Sequence, residues 1–444
     1  MINRHAMSYL DQWMKSDDRK PLILRGARQV GKTTLVNEFS KKFDVYLSLN
    51  LDKAADKNLF ETFTDIELLT DTIYRYCKQR KGGGKTLLFI DEIQNSPKAV
   101  AMLRYFYEEK KELYVIGAGS LLESLIDTHI SFPVGRVEYL AIRPCSFLEF
   151  LDGIGEQYDL ALVKEFNAEA VHDRIMNFFT SYCIVGGMPA AINSYALKRD
   201  VFDTDKVYEM LINAYTDDVQ KYARNSSLGQ VIRFILKTGW GYAGERIAFE
   251  RFANSNYRSR EIGEAFRTLE KALLVELVYP LHTPQIPMLP STSKRPKLVW
   301  FDTGLVNYLA AVRDQIFSIA DVSEVWRGRI AEHVVAQELI AHKWQVSVQR
   351  MFWERDKTQS SAEVDFVFPY KNMVIPVEVK SGHNAHLRSL HLFMDMAPHD
   401  VAVRLWSGHL SVDSVKTPKG KVFKLINVPF YYAGILPELL NRVL

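Results

Sequence analysis

Gly26-Ala27-Arg28-Gln29-Val30-Gly31-Lys32-Thr33-Thr34 is the stretch on which the reading of this 444-residue chain turns. It satisfies G-x-x-x-x-G-K-[ST] in full, and its flanks supply the context that pattern needs. Pro21-Leu22-Ile23-Leu24-Arg25 before it reads as a short buried strand, and Thr34-Leu35-Val36-Asn37-Glu38-Phe39 after it as the opening of a helix. Glycines let main-chain amides turn inward around a phosphate chain, and the helix that follows presents its positive end to that chain. In this frame Gly26 to Thr34 form the cradle, Lys32 reaches the β- and γ-phosphates, and the Thr33 hydroxyl ligates Mg²⁺. An ordinary glycine-rich turn does not account for a strand on one side and a helix on the other.

Working outward, Val45-Tyr46-Leu47-Ser48-Leu49 is a second strand, and residues 56 to 80 look helical up to the Gly82-Gly83-Gly84 turn. Thr86-Leu87-Leu88-Phe89-Ile90-Asp91-Glu92 is a continuous apolar run closing in two acids, which suits a central parallel strand covered on both faces. A helix near 97 to 110, a strand at Leu113-Tyr114-Val115-Ile116-Gly117 and a short helix near 120 to 127 complete the alternation. Strands alternating with helices predict a doubly wound parallel α/β sheet with its ligand at the carboxyl ends of the strands. There Asp91 holds Mg²⁺ and Glu92 orients or deprotonates an attacking water, so the expected chemistry is nucleotide hydrolysis. Ser120 has two readings of equal weight, a sensor of the γ-phosphate or a plain helix N-cap. Arg136, in Val134-Gly135-Arg136-Val137, reads either as a sensor or arginine finger for its own or a neighbouring subunit's nucleotide, or as a surface arginine in an ion pair.

Length predicts about three domains. Hydrophobic and charged fractions of 47% and 25% are those of an ordinary globular protein, and a net charge of +3 leaves nucleic-acid binding to local patches. Cys77, Cys145 and Cys183 are odd in number and widely spaced, which suggests neither a disulfide framework nor a zinc site. With no apolar run of membrane-spanning length and no signal-peptide core, a reducing cytoplasm is the expected location.

The rest of the chain carries a second set of chemistry. Residues 145 to 225 are helical and aromatic, broken at Gly186-Gly187-Met188-Pro189. Helices between 228 and 310 precede two strand-like runs, Leu274-Val275-Glu276-Leu277-Val278 and Lys297-Leu298-Val299-Trp300-Phe301, in an arrangement resembling a winged helix. Tyr257-Arg258-Ser259-Arg260 and Lys294-Arg295-Pro296-Lys297 would let such a unit grip DNA phosphates. The rival use, slightly favoured, is an ATPase lid or protein interface. Further on, Ala362-Glu363-Val364-Asp365-Phe366 and Val374-Ile375-Pro376-Val377-Glu378-Val379-Lys380 predict two strands joined by a turn. Residues two apart share a face, so Glu378 and Lys380 project together, and Asp365 can converge with Glu378 on one Mg²⁺. Glu332, on a helix opened by Trp326-Arg327-Gly328-Arg329, could add a carboxylate. Metal-dependent phosphodiester cleavage is commonly assembled from such parts; a hairpin face with ordinary ion pairs is the alternative.

Taken together, these motifs resemble a family of prokaryotic AAA-type P-loop ATPases with a C-terminal domain of unknown function similar to PD-(D/E)XK nucleases. The likeness rests on Gly26 to Thr34 with its flanks, Phe89-Ile90-Asp91-Glu92-Ile93-Gln94, Gly117-Ala118-Gly119-Ser120, Gly135-Arg136-Val137, Pro144-Cys145-Ser146-Phe147-Leu148-Glu149-Phe150, Gly186-Gly187-Met188-Pro189, Glu363-Val364-Asp365-Phe366 and Pro376-Val377-Glu378-Val379-Lys380. The resemblance implies ATP as the nucleotide, a winged-helix segment between two domains, and an α/β restriction-endonuclease-like domain at the end. The expected division is 1–225, 226–312 and 313–444. Catalytic expectations fall on Lys32, Glu92, Arg136, Glu332, Asp365, Glu378 and Lys380, and metal expectations on Thr33, Asp91, Asp365 and Glu378. DNA, a second copy of the chain and a protein partner are the expected classes of partner. Pro376 departs from the pattern, because proline inside a strand suits an edge or a strand start.

Overall fold

The computed structural model describes residues 2–119, 133, 135–310, 329–356, 362–380 and 387–444. Strand β1 (Leu22–Arg25) lies inside a sheet of order β2-β3-β4-β1-β5, formed with β2 (Val45–Asn50), β3 (Thr86–Asp91), β4 (Leu113–Gly119) and β5 (Glu138–Ala141). Every pairing in it is parallel. The apolar runs of β1 and β3 are buried because helices cover both faces. Leu22 and Leu24 pack with the helices Ala6–Lys15 and Lys32–Ser40, whereas Ile23, Leu88 and Ile90 face Ala54–Thr62, Ile66–Tyr76 and Pro97–Glu109. The helix expected over 56 to 80 is thus two, divided where the Asp65 side chain accepts the Leu68 N–H and starts a new N-terminus. Strand β5 was not read from the sequence, because four residues opening on a glutamate carry too little pattern.

A helical region from Phe147 to Tyr222 follows, then the helices Ser226–Thr238 and Ser259–Lys271 and the antiparallel hairpin of β6 (Val275–Leu281) and β7 (Lys297–Trp300). This hairpin is not a free wing. Strand β6 pairs with β8 (Met351–Glu354) and so becomes part of an eight-stranded mixed sheet, β12-β13-β11-β10-β9-β8-β6-β7. The remaining strands are β9 (Glu363–Tyr370), β10 (Met373–Lys380), β11 (Val401–Trp406), β12 (Ser411–Lys416) and β13 (Val422–Pro429). Pro376 sits in an interior strand of the sheet, opposite Val367 of β9. Pairing of β10 with β11 begins at Val377, so the missing N–H falls before that ladder starts.

One apolar core runs from Leu10 through Phe147, Tyr182, Trp300 and Val335 to Leu440. The segments read from sequence as successive units therefore share a core. No described helix is long and apolar enough to cross a membrane.

Candidate functional site

The loop after β1 owes its shape to two glycines. A Cβ on Gly26 would stand 2.2 Å from the Ile142 carbonyl oxygen, and Gly31 has φ +96°, a left-handed conformation that favours glycine. The chain turns at Gly31 into the helix Lys32–Ser40, whose free N-terminal amides face the loop. Lys32 is buried, and its Nζ donates to the carbonyls of Gly26 and Ala27, each at 2.9 Å. Burial lowers its pKa to about 8, despite the nearby charges of Glu92 and Asp91. Among the described residues its ammonium is thus hydrogen-bonded to two neutral carbonyls of the cradle.

Thr33 Oγ1 donates to Asp91 Oδ2 at 2.8 Å, which joins the loop to the end of β3. Asp91 Oδ1 accepts the Glu92 N–H at 3.1 Å, and Glu92 takes φ +52°, turning sharply out of the strand. Gln94 Nε2 donates to Glu92 Oε2 at 2.5 Å and fixes the carboxylate beside the loop. A hydroxyl and a carboxylate in direct contact form the oxygen donor set that Mg²⁺ prefers, so Thr33 and Asp91 suit the cation expected of them. The Arg28 guanidinium is drawn away by Asp218, at 2.5 Å, while the Tyr215 hydroxyl donates to the Arg28 carbonyl at 2.8 Å. Arg28 thus ties the loop to the helices Asp205–Asp217 and Val219–Tyr222.

Arg4 is a loop contact that the sequence reading missed. Its Nη1 donates to the Val30 carbonyl at 2.8 Å, its Nη2 to the Arg143 carbonyl at 2.6 Å, and its Nε lies 3.1 Å from Glu149. No pattern in the sequence marks it, because its partners Val30, Arg143 and Glu149 lie far along the chain. Pro189 of the Gly186-Gly187-Met188-Pro189 break also lies against Gly31.

Arg136 is elsewhere. Strand β5 runs parallel to β1 with Glu138 opposite Leu22, so Arg136 precedes the end of the sheet remote from the loop. The four residues of β1 put roughly 13 Å between the two ends. Arg136 Nε instead donates to Glu108 Oε1 at 2.5 Å, and a role at its own subunit's nucleotide is corrected accordingly. Ser120 lies outside the described residues.

Of the second constellation, the structure brings Asp365, Glu378 and Lys380 near one another. Lys380 Nζ is 2.9 Å from Glu378 Oε1, and Asp365 Oδ2 accepts the Val379 N–H at 2.7 Å, which fixes β9 against β10 despite Pro376. Asp365 and Glu378 are both buried, and both carboxyl pKa values are raised, first by burial and also by neighbouring acids. Glu378 Oε2 has no hydrogen-bond partner among the described residues. Glu332, from the helix Arg329–Ala341, is engaged differently: it pairs with Lys297 Nζ at 2.9 Å. Lys297 also lies 2.5 Å from Glu363 and 4.0 Å from Asp365. It is 4% exposed and cannot grip a DNA phosphate, which removes Lys297 alone from the basic run at 294 to 297. Arg258 and Lys294 are exposed, and Lys294 lies 3.7 Å from Asp356. Among the described residues no group of three or more His, Cys, Asp or Glu side chains is placed to hold a metal. That leaves Asp365 and Glu378, with one unpartnered oxygen, as the pair whose donors fit a cation that keeps most of its water.

A buried polar junction joins the helical region after the parallel sheet to the helix that carries Glu332. The Gly187 N–H donates to Asp302 Oδ2 at 2.7 Å, and its carbonyl accepts the Cys145 N–H at 2.7 Å. The Tyr182 hydroxyl is 2.8 Å from the Cys145 carbonyl and 2.7 Å from Glu338 Oε1, and it accepts from Gln337 Nε2 at 2.8 Å. Gln337 and Glu338 share the helix Arg329–Ala341 with Glu332.

Residues 18–151 match the family model of an AAA domain. The parallel sheet and its phosphate loop lie in that segment, so the N-terminal part of the chain is an AAA-type P-loop domain. Residues 176–316 and 327–431 match two domains of unknown function, DUF8612 and DUF4143. No curated protein matches the sequence. Among solved structures, the Walker-type ATPase paby2304 of Pyrococcus abyssi is 13% identical, with a TM-score of 0.44 over 70% of this chain and 96% of that one. The RuvB Holliday junction branch migration motor of Thermotoga maritima is 15% identical, with a TM-score of 0.28 over 62% and 90%. PCH-2 of C. elegans is 12% identical, with a TM-score of 0.27 over 44% and 62%. Likenesses this distant transfer no function.

Proposed function

We propose that this chain is a cytoplasmic, Mg²⁺-dependent ATPase whose hydrolysis cycle acts on its own C-terminal unit. The observation that carries this reading is the contact of Thr33 with Asp91 beside Lys32 and the turned-out Glu92. Thr33 and Asp91 would hold Mg²⁺, which when bound supplies charge neutralisation on phosphoryl oxygens. Lys32 contributes a cation whose present acceptors are weak carbonyls, so a phosphate oxygen competes for it favourably. Glu92, steadied by Gln94, is the carboxylate able to orient a water and accept its proton. Coupling is proposed to run through the junction of Cys145, Gly187, Tyr182 and Glu338, because one helix carries both Glu338 and Glu332.

Two uses of the C-terminal unit follow from the sequence. Buried Asp365 and Glu378 beside Lys380 favour a nuclease-like module that acts on or binds DNA. Engagement of Glu332 by Lys297 favours a module that binds DNA or a protein without cleaving. The test of the central reading is turnover and nucleotide binding in purified protein. Lys32→Ala should lose both, and Glu92→Gln should bind ATP yet fall roughly a hundredfold or more in turnover. Undiminished turnover in Glu92→Gln would remove the assignment. Plasmid cleavage with Mg²⁺ or Mn²⁺ and ATP separates the two uses of the C-terminal unit.

A further inference from the structure

The acid cluster of the C-terminal sheet contains a lysine that the nuclease-like reading does not use. Lys297 belongs to β7, the far edge strand of the sheet, on the hairpin that precedes the C-terminal unit in the chain. Its ammonium reaches Glu332 on one helix and Glu363 and Asp365 on β9. The rings of Phe352 and Phe366, with centroids 5.1 and 6.0 Å away, wall off its stem and head. Five carboxyl groups and three basic side chains of the described residues, its own included, meet around it. Glu332, Glu354, Glu363, Asp365 and Glu378 face Lys297, Lys380 and Arg246, the last bridging Glu354 and Glu363. Among the described residues Glu378 Oε2 is buried without a hydrogen-bond partner. A buried carboxylate oxygen without a partner is costly, and a cation is the natural way to satisfy it.

Resting on the reading of Asp365 and Glu378 as the cation-holding pair, we infer that Lys297 is an internal counter-cation that occupies the Glu332–Glu363 half of the cluster and restricts it to one weakly held divalent ion. An ammonium a few ångströms from the remaining carboxylates repels an incoming dication in a site where solvent screens poorly. It also engages the Glu332 and Glu363 carboxylates in ion pairs of their own. The hairpin that carries Lys297 starts beside the helix Ser259–Lys271, whose Lys271 carbonyl accepts from Arg25 Nη2 at 2.9 Å, next to the phosphate loop.

The test is Mn²⁺ binding to the nucleotide-free full chain, followed by electron paramagnetic resonance. It compares wild type with Lys297→Met, Lys297→Arg, Glu378→Gln and Lys297→Met/Glu378→Gln, and thermal melts check that each variant is folded. Lys297→Met should bind Mn²⁺ about tenfold or more tightly than wild type, Lys297→Arg should match wild type, and Glu378→Gln should remove the gain. Tight, Glu378-dependent binding in wild type would overturn the role of Lys297 while leaving the cation pair intact. A folded Lys297→Met with unchanged or weaker binding would do the same. Absence of Glu378-dependent binding from every folded protein would overturn both the counter-cation and the cation pair.

Discussion

Glu338 shows how a single side chain ties this molecule together and makes it sensitive to pH. It is buried, and Oε1 accepts from the Tyr182 hydroxyl and the Phe147 N–H. Burial raises its pKa from 4.5 to about 7. The folded state therefore binds a proton that the unfolded chain releases at lower pH. Its contribution is fully present below pH 4.5 and is lost as the pH rises toward about 7. The span corresponds to on the order of 3 kcal/mol. Glutamine keeps an acceptor oxygen but cannot ionise, so Glu338→Gln should gain thermal stability over wild type as the pH rises through that window. A wild-type-minus-variant difference that does not change between pH 4.5 and 7 would exclude this role. His333 acts in the opposite sense. Burial lowers its pKa to about 3, so the stability it provides is lost as the pH falls below its usual 6.5.

Among the elements, the N-terminal helix Ala6–Lys15 and its lead-in do more than cover the sheet. Leu10 and Trp13 bury its apolar face. The residue before the helix that matters most was not legible, because a lone arginine among apolar residues has no pattern. Only folding brings Arg4 to Val30 and Glu149, residues 26 and 145 positions away. Arg4→Ala leaves a buried Glu149 without its charge partner, at a cost of about 3 kcal/mol. It also frees the Val30 carbonyl, and nucleotide affinity should fall with the melting temperature. Arg4→Lys should recover part of the stability but less of the affinity, since an ammonium cannot span Val30, Arg143 and Glu149 in one plane. Equal recovery of both by lysine would show that charge alone is at work. The β6–β7 hairpin carries the complementary lesson. Its two strands were evident from sequence, but not that the first would be captured by β8 and become part of the C-terminal sheet.

For the molecule as a whole, the shared core and the polar junction predict that the two constellations respond together. Adding ATP to Glu92→Gln, which binds without turnover, should slow amide exchange in the phosphate loop and also in the helix Arg329–Ala341. Protection confined to the loop would argue against coupling through Tyr182 and Glu338. What the sequence determined alone is local. Glycines where the backbone needs them, a lysine and threonine opening a helix, acids ending an apolar strand, and an alternating Glu-x-Lys strand each encode their chemistry within a few residues. Asp91 could be assigned to Thr33 because a parallel α/β sheet places the ends of its strands along one edge. Tertiary structure decided what those local rules leave free. It placed Arg136 at the wrong end of its strand for its own nucleotide, paired Glu332 with a lysine 35 positions before it, and ran one core through all three segments. The physical reason is the same in each case. Which distant charge fills a buried site depends on the register of sheets and the packing of helices, and no short-range pattern records either.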